Sequence, residues 1–245
     1  MRVTSLLPAI LLTGILSANL SALPLSGVFS IGGTINVTTT QITWNGLDSP
    51  FIPDQSKIGG SGNTGSFAGL NGTTVTIMNL TNATEPVGTF APAQPFMSFD
   101  AAPLMSNLNI STIFAGLYTA GGCTASPAAV GQTCTPNPPI TPSASPFSFV
   151  NNPGAFGPQA TATFAFSGVT ADGLSTWTAN FTSQFNIPFQ QVLANLAANG
   201  SVSDTYSATV TVVPNVTTPE PGTPALMSIG LGLVVLSLQL RRRKA

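Results

Sequence analysis

The sequence lacks histidine and has few charged residues. Charged side chains make up 5% of the 245 residues, against about a quarter in an average soluble domain. Without histidine, the Ser-His-Asp and Cys-His arrangements are excluded, and the usual general base at neutral pH is missing. No glycine-rich loop with a lysine precedes a helix pattern, so a phosphate-binding loop is not expected. These absences predict a protein that is not an enzyme and holds no cofactor.

Positive charge is almost absent from the middle of the chain. Of six lysine and arginine residues, only Lys57 lies between Arg2 and the basic cluster at 241–244. Set against seven aspartate and glutamate residues, Lys57 leaves a net charge of 1 − 7 = −6 outside those terminal cations. Nucleic-acid binding needs a basic face to meet phosphates, so a nucleic-acid partner is not expected.

Cysteine is also scarce, and the two that occur are close together. Cys123 and Cys134 flank a loop rich in small residues. A metal site would need further ligands, but the chain has no histidine and no third cysteine. In an oxidising compartment such a pair predicts a disulfide, which would stabilise the fold by roughly 3 kcal/mol in the chain-entropy model.

Long apolar runs occur only near the two ends. At the start, Met1 and Arg2 precede an apolar stretch over 6–16, which is typical of a secretory signal peptide and too short to span a membrane. Small residues at Ala18 and Ala22 offer two cleavage points, of which we prefer Ala22. The sequence therefore predicts a signal peptide at 1–22 and export of the remainder.

Three elements follow one another at the other end, over 219–245. A Pro-Glu-Pro tripeptide comes first, then an uncharged and mostly apolar run over 225–240, and then a basic tail at 241–244 made of Arg241, Arg242, Arg243 and Lys244. As a helix, the run covers roughly 24 Å, slightly less than the bilayer core of about 30 Å. Snorkelling arginines and local thinning compensate for this, so we predict a short transmembrane helix. The cations act as a membrane stop on the cytoplasmic side, so the preceding chain faces outward.

This order of elements resembles the PEP-CTERM sorting signal of Gram-negative bacteria. The resemblance implies processing by an exosortase, a membrane cysteine protease or transpeptidase that cuts near the tripeptide and releases or transfers the mature protein. Pro219, Glu220 and Pro221 are then recognition residues and not catalytic ones. The alternative is a plain C-terminal anchor with a proline-rich stalk, while a lipid anchor fits less well because of the basic tail.

The body, 23–218, alternates apolar and polar residues as half-buried strands do. Strands are predicted at 27–44, 65–70, 73–80, 110–118, 147–150, 161–170, 175–185 and 203–213. The segment 171–173 is a hairpin turn signal, and one helix is predicted over 188–199, ending before Gly200. Together these elements predict an all-β antiparallel β-sandwich with one short helix and a loop closed by the disulfide.

The body offers only weak evidence for ligand-binding residues. A carboxylate pair could hydrolyse glycosides, but each acid is expected at a turn or strand edge: Asp48, Asp54, Glu85, Asp100, Asp172 and Asp204. Asp48 and Asp54 could share a calcium ion, although a proline-rich surface turn explains them better, and we predict no metal site. Trp44, Trp177 and Tyr206 could stack on sugars if exposed, but in alternating strands they are more often core residues.

Two functions remain. The first is an exported, exosortase-processed protein without catalytic activity, anchored in the inner membrane as a precursor and then placed at the cell surface or in the extracellular matrix. The second is a carbohydrate-binding or weakly hydrolytic β-sandwich that uses the same route. In the second case the partner is an extracellular polysaccharide.

Overall fold

The computed structural model describes residues 23–45, 54–59, 62–136 and 145–215. Within these ranges the chain forms twelve strands, one α-helix and two short 3₁₀-helices. The predicted signal peptide at 1–22, the predicted sorting signal at 219–245 and Asp48 lie outside the described residues.

The strands follow the chain in two groups around a long irregular segment. The first group is β1 (Gly27–Thr38), β2 (Gln41–Asn45), β3 (Gln55–Ile58), β4 (Thr74–Ile77), β5 (Leu80–Thr81), β6 (Gly88–Phe99) and β7 (Leu108–Ile113). The second is β8 (Thr133–Cys134), β9 (Ser148–Gly154), β10 (Gly157–Thr170), β11 (Ser175–Gln184) and β12 (Ser201–Pro214). The helix α1 (Phe189–Asn199) lies between β11 and β12, and the 3₁₀-helices are Gly65–Phe67 and Ala120–Thr124.

Eight strands close into a ring. Antiparallel pairing runs β11-β12-β1-β3-β4-β6-β7-β10, and β10 pairs with β11 again. The other strands are attached outside the ring: β2 pairs with β1 and β5 with β2, while β9 pairs with β10 and β8 with β9. The prediction of an all-β fold with one helix is confirmed. The predicted sandwich of two packed sheets is corrected to a single sheet that closes on itself.

Closure depends on pairings between distant parts of the chain. β1 pairs with β12 over twelve residue pairs, from Gly27↔Val212 to Thr38↔Ser201. On its other side β1 meets β3 through only two residue pairs, Ile31↔Ile58 and Gly32↔Lys57. This short contact between β1 and β3 is needed to close the ring. Alternation in the sequence does not predict it, because alternation shows which face of a strand is buried and not which strand lies beside it.

The core fills the inside of the ring. Alternate residues of β1 point inward, so Phe29, Ile31 and Ile35 are each at most 2% exposed. The same period of two buries Trp177, Ala179 and Phe181 on β11 and four positions on β12: Tyr206, Ala208, Val210 and Val212. The predicted hairpin at 171–173 is confirmed, since β10 and β11 pair across it.

Several strand predictions differ from the structure. The predicted strand 65–70 is instead a 3₁₀-helix, and the predicted strand 27–44 is the hairpin of β1 and β2. The predicted strand 110–118 ends at Ile113. β6 was missed because Pro92 and Pro95 interrupt its pattern, and its pairing with β7 is correspondingly irregular.

The predicted helix is confirmed one residue shorter at its start. α1 buries Phe189 and Val192 and packs against β12, β10 and β9. Gly200 ends it in the left-handed conformation, with φ at +74°, and its N–H donates to the Leu196 carbonyl at 2.9 Å.

The predicted disulfide is confirmed. Cys123 and Cys134 are bonded, with their Cα atoms 4.9 Å apart. The bond ties the 3₁₀-helix Ala120–Thr124 to β8. Cys134 belongs to a second, smaller core cluster with Phe149, Ala160, Ala162, Phe189 and Val192. The disulfide therefore fastens the irregular segment to the end of the ring that α1 covers.

Candidate functional site

All five described acids accept hydrogen bonds, and those of Asp54, Asp100 and Glu85 come from nearby side chains or backbone. The carboxylate of Asp54 accepts a hydrogen bond from the Asn79 amide. Asp100 accepts the Thr74 and Thr76 hydroxyls, both at 2.9 Å. Glu85 accepts the Thr81 N–H at 2.9 Å and the Thr84 hydroxyl at 2.7 Å. These contacts give each acid a structural role.

Asp172 caps the β10–β11 turn. It accepts the Thr170 hydroxyl and, at 2.9 Å, the Leu174 N–H. Burial works to raise the pKa of Asp172, but hydrogen bonds from Thr170, Leu174 and Ser106 outweigh it and hold the pKa below its usual value. The position at a turn is as predicted.

Asp204 departs from the prediction, because it lies within β12 and not at a turn or strand edge. It has the same inward parity as Tyr206 and pairs with Ile35 of β1. Asp204 lines a cavity of about 50 Å³ between α1 and the ring, beside apolar side chains such as Val202 and Leu196. Burial raises the pKa of Asp204, although hydrogen bonds from Thr205 and Ser183 partly offset it.

The cavity beside Asp204 is small. Its volume is far below the roughly 300–1,000 Å³ of small-molecule sites, although there is room for a water molecule. Its lining is otherwise almost wholly apolar. We assign it to imperfect packing under α1 and not to ligand binding.

We expect Asp204→Asn to stabilise the protein at neutral pH. The folded state resists ionisation of Asp204, so the unfolded state loses this proton at lower pH. Wild-type stability therefore falls as pH rises from the usual aspartate pKa through the raised one. The substitution removes this penalty and keeps an acceptor for the Thr205 N–H. Because the carboxylate still meets solvent, the gain at pH 7 should stay below about 1 kcal/mol.

Urea unfolding at pH 3, 5 and 7 measures this effect. The gain should be largest at pH 7 and disappear near pH 3. Asp100→Asn is the control, since Asp100 binds a threonine hydroxyl through each oxygen and its replacement should not stabilise. Equal or lower stability of Asp204→Asn at pH 7 would contradict the prediction.

The three aromatic candidates for sugar stacking are buried. Trp44 is 0% exposed, Trp177 is 1% exposed and Tyr206 is 5% exposed. Trp177 stacks on Phe96 at a centroid distance of 5.7 Å and donates from Nε1 to the Asn109 carbonyl at 2.9 Å. The interpretation of these residues as core is confirmed, and sugar stacking on them is excluded by their burial.

The proposed calcium pair is only partly described. Asp48 lies outside the described residues, and Asp54 is engaged by Asn79. Among the residues that the structure describes, no group of three or more Asp, Glu, Cys or His side chains is arranged to hold a metal ion.

Sequence reasoning missed an open groove on the outer face of the ring. It has a volume of about 440 Å³, within the range of small-molecule sites. We call it the outer groove, and its main lining residues are Phe114, Leu117, Ser148, Thr163, Asn180 and Thr182. The signal in the sequence was the apolar pair Phe114 and Leu117, which continue past the end of β7 where a polar loop is usual.

Comparison with known proteins decides the role of the tail. A family model for the PEP-CTERM protein-sorting motif matches residues 217–244. This chain is a PEP-CTERM protein. The match includes the tripeptide Pro219-Glu220-Pro221 and the basic tail at 241–244. The motif marks an exported protein that is sorted and processed by an exosortase.

The body of the PEP-CTERM protein has no counterpart in the other comparisons. Neither the curated proteins nor the solved structures include a match to the chain. The family match therefore concerns sorting and not the body of the chain.

The membrane segment predicted at 225–240 lies outside the described residues of the PEP-CTERM protein. No helix in the described part of the chain is long and apolar enough to cross a membrane.

Proposed function

We propose that this PEP-CTERM protein is a non-catalytic component of the cell surface or extracellular matrix. In this proposal the signal peptide at 1–22 directs export, and the helix at 225–240 holds the precursor in the inner membrane. An exosortase then cuts near Pro219, Glu220 and Pro221 and frees or transfers the β domain. The observation that carries the proposal is the match to the sorting motif at 217–244.

The tail chemistry supports an anchored precursor. An apolar helix inserts because all of its backbone groups bond within the helix. The cations Arg241, Arg242, Arg243 and Lys244 are costly to move through hydrocarbon and would stop translocation at the cytoplasmic side. The tripeptide would then sit just outside the membrane, within reach of a membrane protease.

The body supports a role outside the cell. The bond between Cys123 and Cys134 is of the kind that persists in oxidising compartments. The outward faces of β11 and β12 carry uncharged polar residues such as Thr178, Asn180 and Thr209. A neutral hydroxyl-rich surface is consistent with an extracellular matrix protein.

The absence of catalysis is proposed from the acids and the missing histidine. The sequence offers no histidine as general base. Of the described acids, Asp54, Glu85, Asp100 and Asp172 are held by neighbouring side chains or turns, while Asp204 borders a cavity too small for a substrate.

Deletion of the exosortase tests the proposal. We expect cells with an exosortase to yield a mature protein that begins near residue 23 and lacks 225–240, found at the surface or in the medium. Cells without the exosortase should retain a full-length tail in the inner membrane. Fractionation and intact-mass analysis measure both products. An identical C-terminus in the two strains would contradict the proposal.

Carbohydrate binding is the second candidate function. Sugar stacking on Trp44 and Trp177 is excluded, because both side chains are buried. The outer groove, which is exposed and lies elsewhere on the ring, is the observation that still favours it.

A further inference from the structure

The outer groove arises where β10 changes partners. On one side β10 pairs with β11 from Thr161 to Val169. On the other side it pairs first with β9, over Gly157 to Thr163, and then with β7, over Phe166 to Thr170. The chain leaves β7 just beyond the Phe114 N–H, which donates to the Ala165 carbonyl at 3.0 Å. The departing segment 114–118 forms one wall of the groove.

This wall is fixed by hydrogen bonds to neighbouring elements. The Gly116 N–H donates to the Ser145 carbonyl and the Leu117 N–H to the Ser148 hydroxyl, both at 2.8 Å. The Tyr118 N–H donates to the Thr135 hydroxyl at 3.0 Å, next to the disulfide-bonded Cys134. A wall held in this way needs little ordering when a ligand binds, which favours affinity.

The groove combines exposed apolar surface with free polar groups. Phe114 is 46% exposed and Leu117 is 83% exposed. Across the groove, the side chains of Asn180 and Thr182 have no hydrogen-bond partner in the described part of the chain. A ligand that offers both an apolar face and hydroxyl groups would satisfy both kinds of surface.

The lining excludes charged ligands and added strands. Among the described residues that line the groove there is no ionisable side chain, so an anionic or cationic ligand would lose hydration without gaining a counter-charge there. An extended peptide would need a free strand edge, but β10 and β11, which form the floor, are each paired on both sides. The class of ligand that fits this lining is a neutral molecule with many hydroxyl groups.

We propose that the outer groove binds a neutral polysaccharide. The ring of Phe114 packs against the CH face of one sugar unit, and the Asn180 amide and the Thr182 hydroxyl bond to its hydroxyl groups. Beyond the groove, Asn180 and Thr182 lie beside Thr209 and Ser207 of β12, and these exposed hydroxyls offer contacts to further units. This binding goes beyond sorting and does not depend on it.

Affinity electrophoresis of the full-length protein in mild detergent tests the proposal. Native gels would contain laminarin or dextran as neutral glucans, or alginate as an acidic polymer. We expect retardation by a neutral glucan and none by alginate. Phe114→Ala and Asn180→Ala should each weaken the apparent affinity at least tenfold, because each removes one of the two contact types.

Phe156→Ala is the matched control. Phe156 is fully exposed at the turn between β9 and β10, about seven residues or roughly 23 Å along the chain from Thr163. Its replacement should leave binding unchanged. A circular dichroism melt should show that all three variants stay folded, since Phe114, Asn180 and Phe156 are exposed.

Several results would overturn the proposal. These are the absence of retardation by any neutral glucan, equal retardation by alginate, or equal loss of binding in Phe156→Ala. Self-association of the wild type that Phe114→Ala abolishes would instead assign the groove to a second copy of the chain. Exosortase processing of Phe114→Ala should remain normal, so failure here would be distinguishable from failure of the sorting proposal.

Discussion

Replacing Pro219, Glu220 and Pro221 with alanine should leave full-length protein in the inner membrane of cells that contain an exosortase. The change leaves the apolar run at 225–240 and its cations untouched, so insertion of the helix should survive. Only an enzyme that recognises the tripeptide would be affected by the substitution. The expected effect is nearly complete loss of the processed form, measured by immunoblot and intact mass of membrane and surface fractions.

A second tail variant separates recognition from anchoring. Changing Arg241, Arg242 and Arg243 to glutamine keeps the tripeptide but removes most of the charge that stops translocation. We expect this variant to be inserted less well and to lose its fixed orientation. If the wild type and both variants stay full-length and membrane-bound, the tail acts only as an anchor and exosortase sorting is wrong for this protein.

Trp177→Ala should destabilise the β domain by about 3–5 kcal/mol. The side chain is 1% exposed and stacks on Phe96, so truncation opens a large cavity within the ring. It also leaves the part-buried carbonyl of Asn109 without its indole donor, which adds a further cost. A domain of ordinary stability would then be close to unfolding at 37 °C.

Phenylalanine substitutions separate the cavity from the hydrogen bond. Trp44 is equally buried, but its Nε1 is the one buried side-chain polar atom in the described residues that has no hydrogen-bond partner. Trp44→Phe therefore removes an unsatisfied donor together with some volume, whereas Trp177→Phe removes volume and a bond. We expect Trp177→Phe to cost more, by on the order of 1–2 kcal/mol.

Urea unfolding followed by circular dichroism measures the three variants. Circular dichroism is preferable to intrinsic fluorescence, because the chain has only two tryptophans and each variant removes one of them. Equal losses for Trp44→Phe and Trp177→Phe would show that the bond to Asn109 contributes nothing. A loss below about 1 kcal/mol for Trp177→Ala would contradict the core packing around it.

The position of Trp177 shows how far the sequence alone could reach. Alternation in β11 predicts that this side chain faces the core, and it does. The bond to Asn109 could not be foreseen, because it depends on Gly168, the cross-strand partner of Trp177. A side chain at 168 would collide with the Asn109 carbonyl, so this glycine permits the close approach of β7 that brings the acceptor to the indole.

The outer groove could not be predicted from the sequence. The sequence placed Phe114 in a predicted strand over 110–118, whereas the strand ends at Ile113 and the next residues form a wall. Asn180 and Thr182 lie far along the chain from this wall. Only the change of partners along β10 brings them together.

Features that local order or composition encodes could be predicted from the sequence. The tail motif is contiguous, the two cysteines have no other partner to choose, and α1 and the β10–β11 hairpin depend on residues close together in the chain. The tertiary structure alone decided the closed ring, the inward position of Asp204 beside α1 and the outer groove. The reason is that a period of two tells which face of a strand is buried but not which strand lies beside it. Partners such as β1 and β12 are chosen by packing across almost the whole chain.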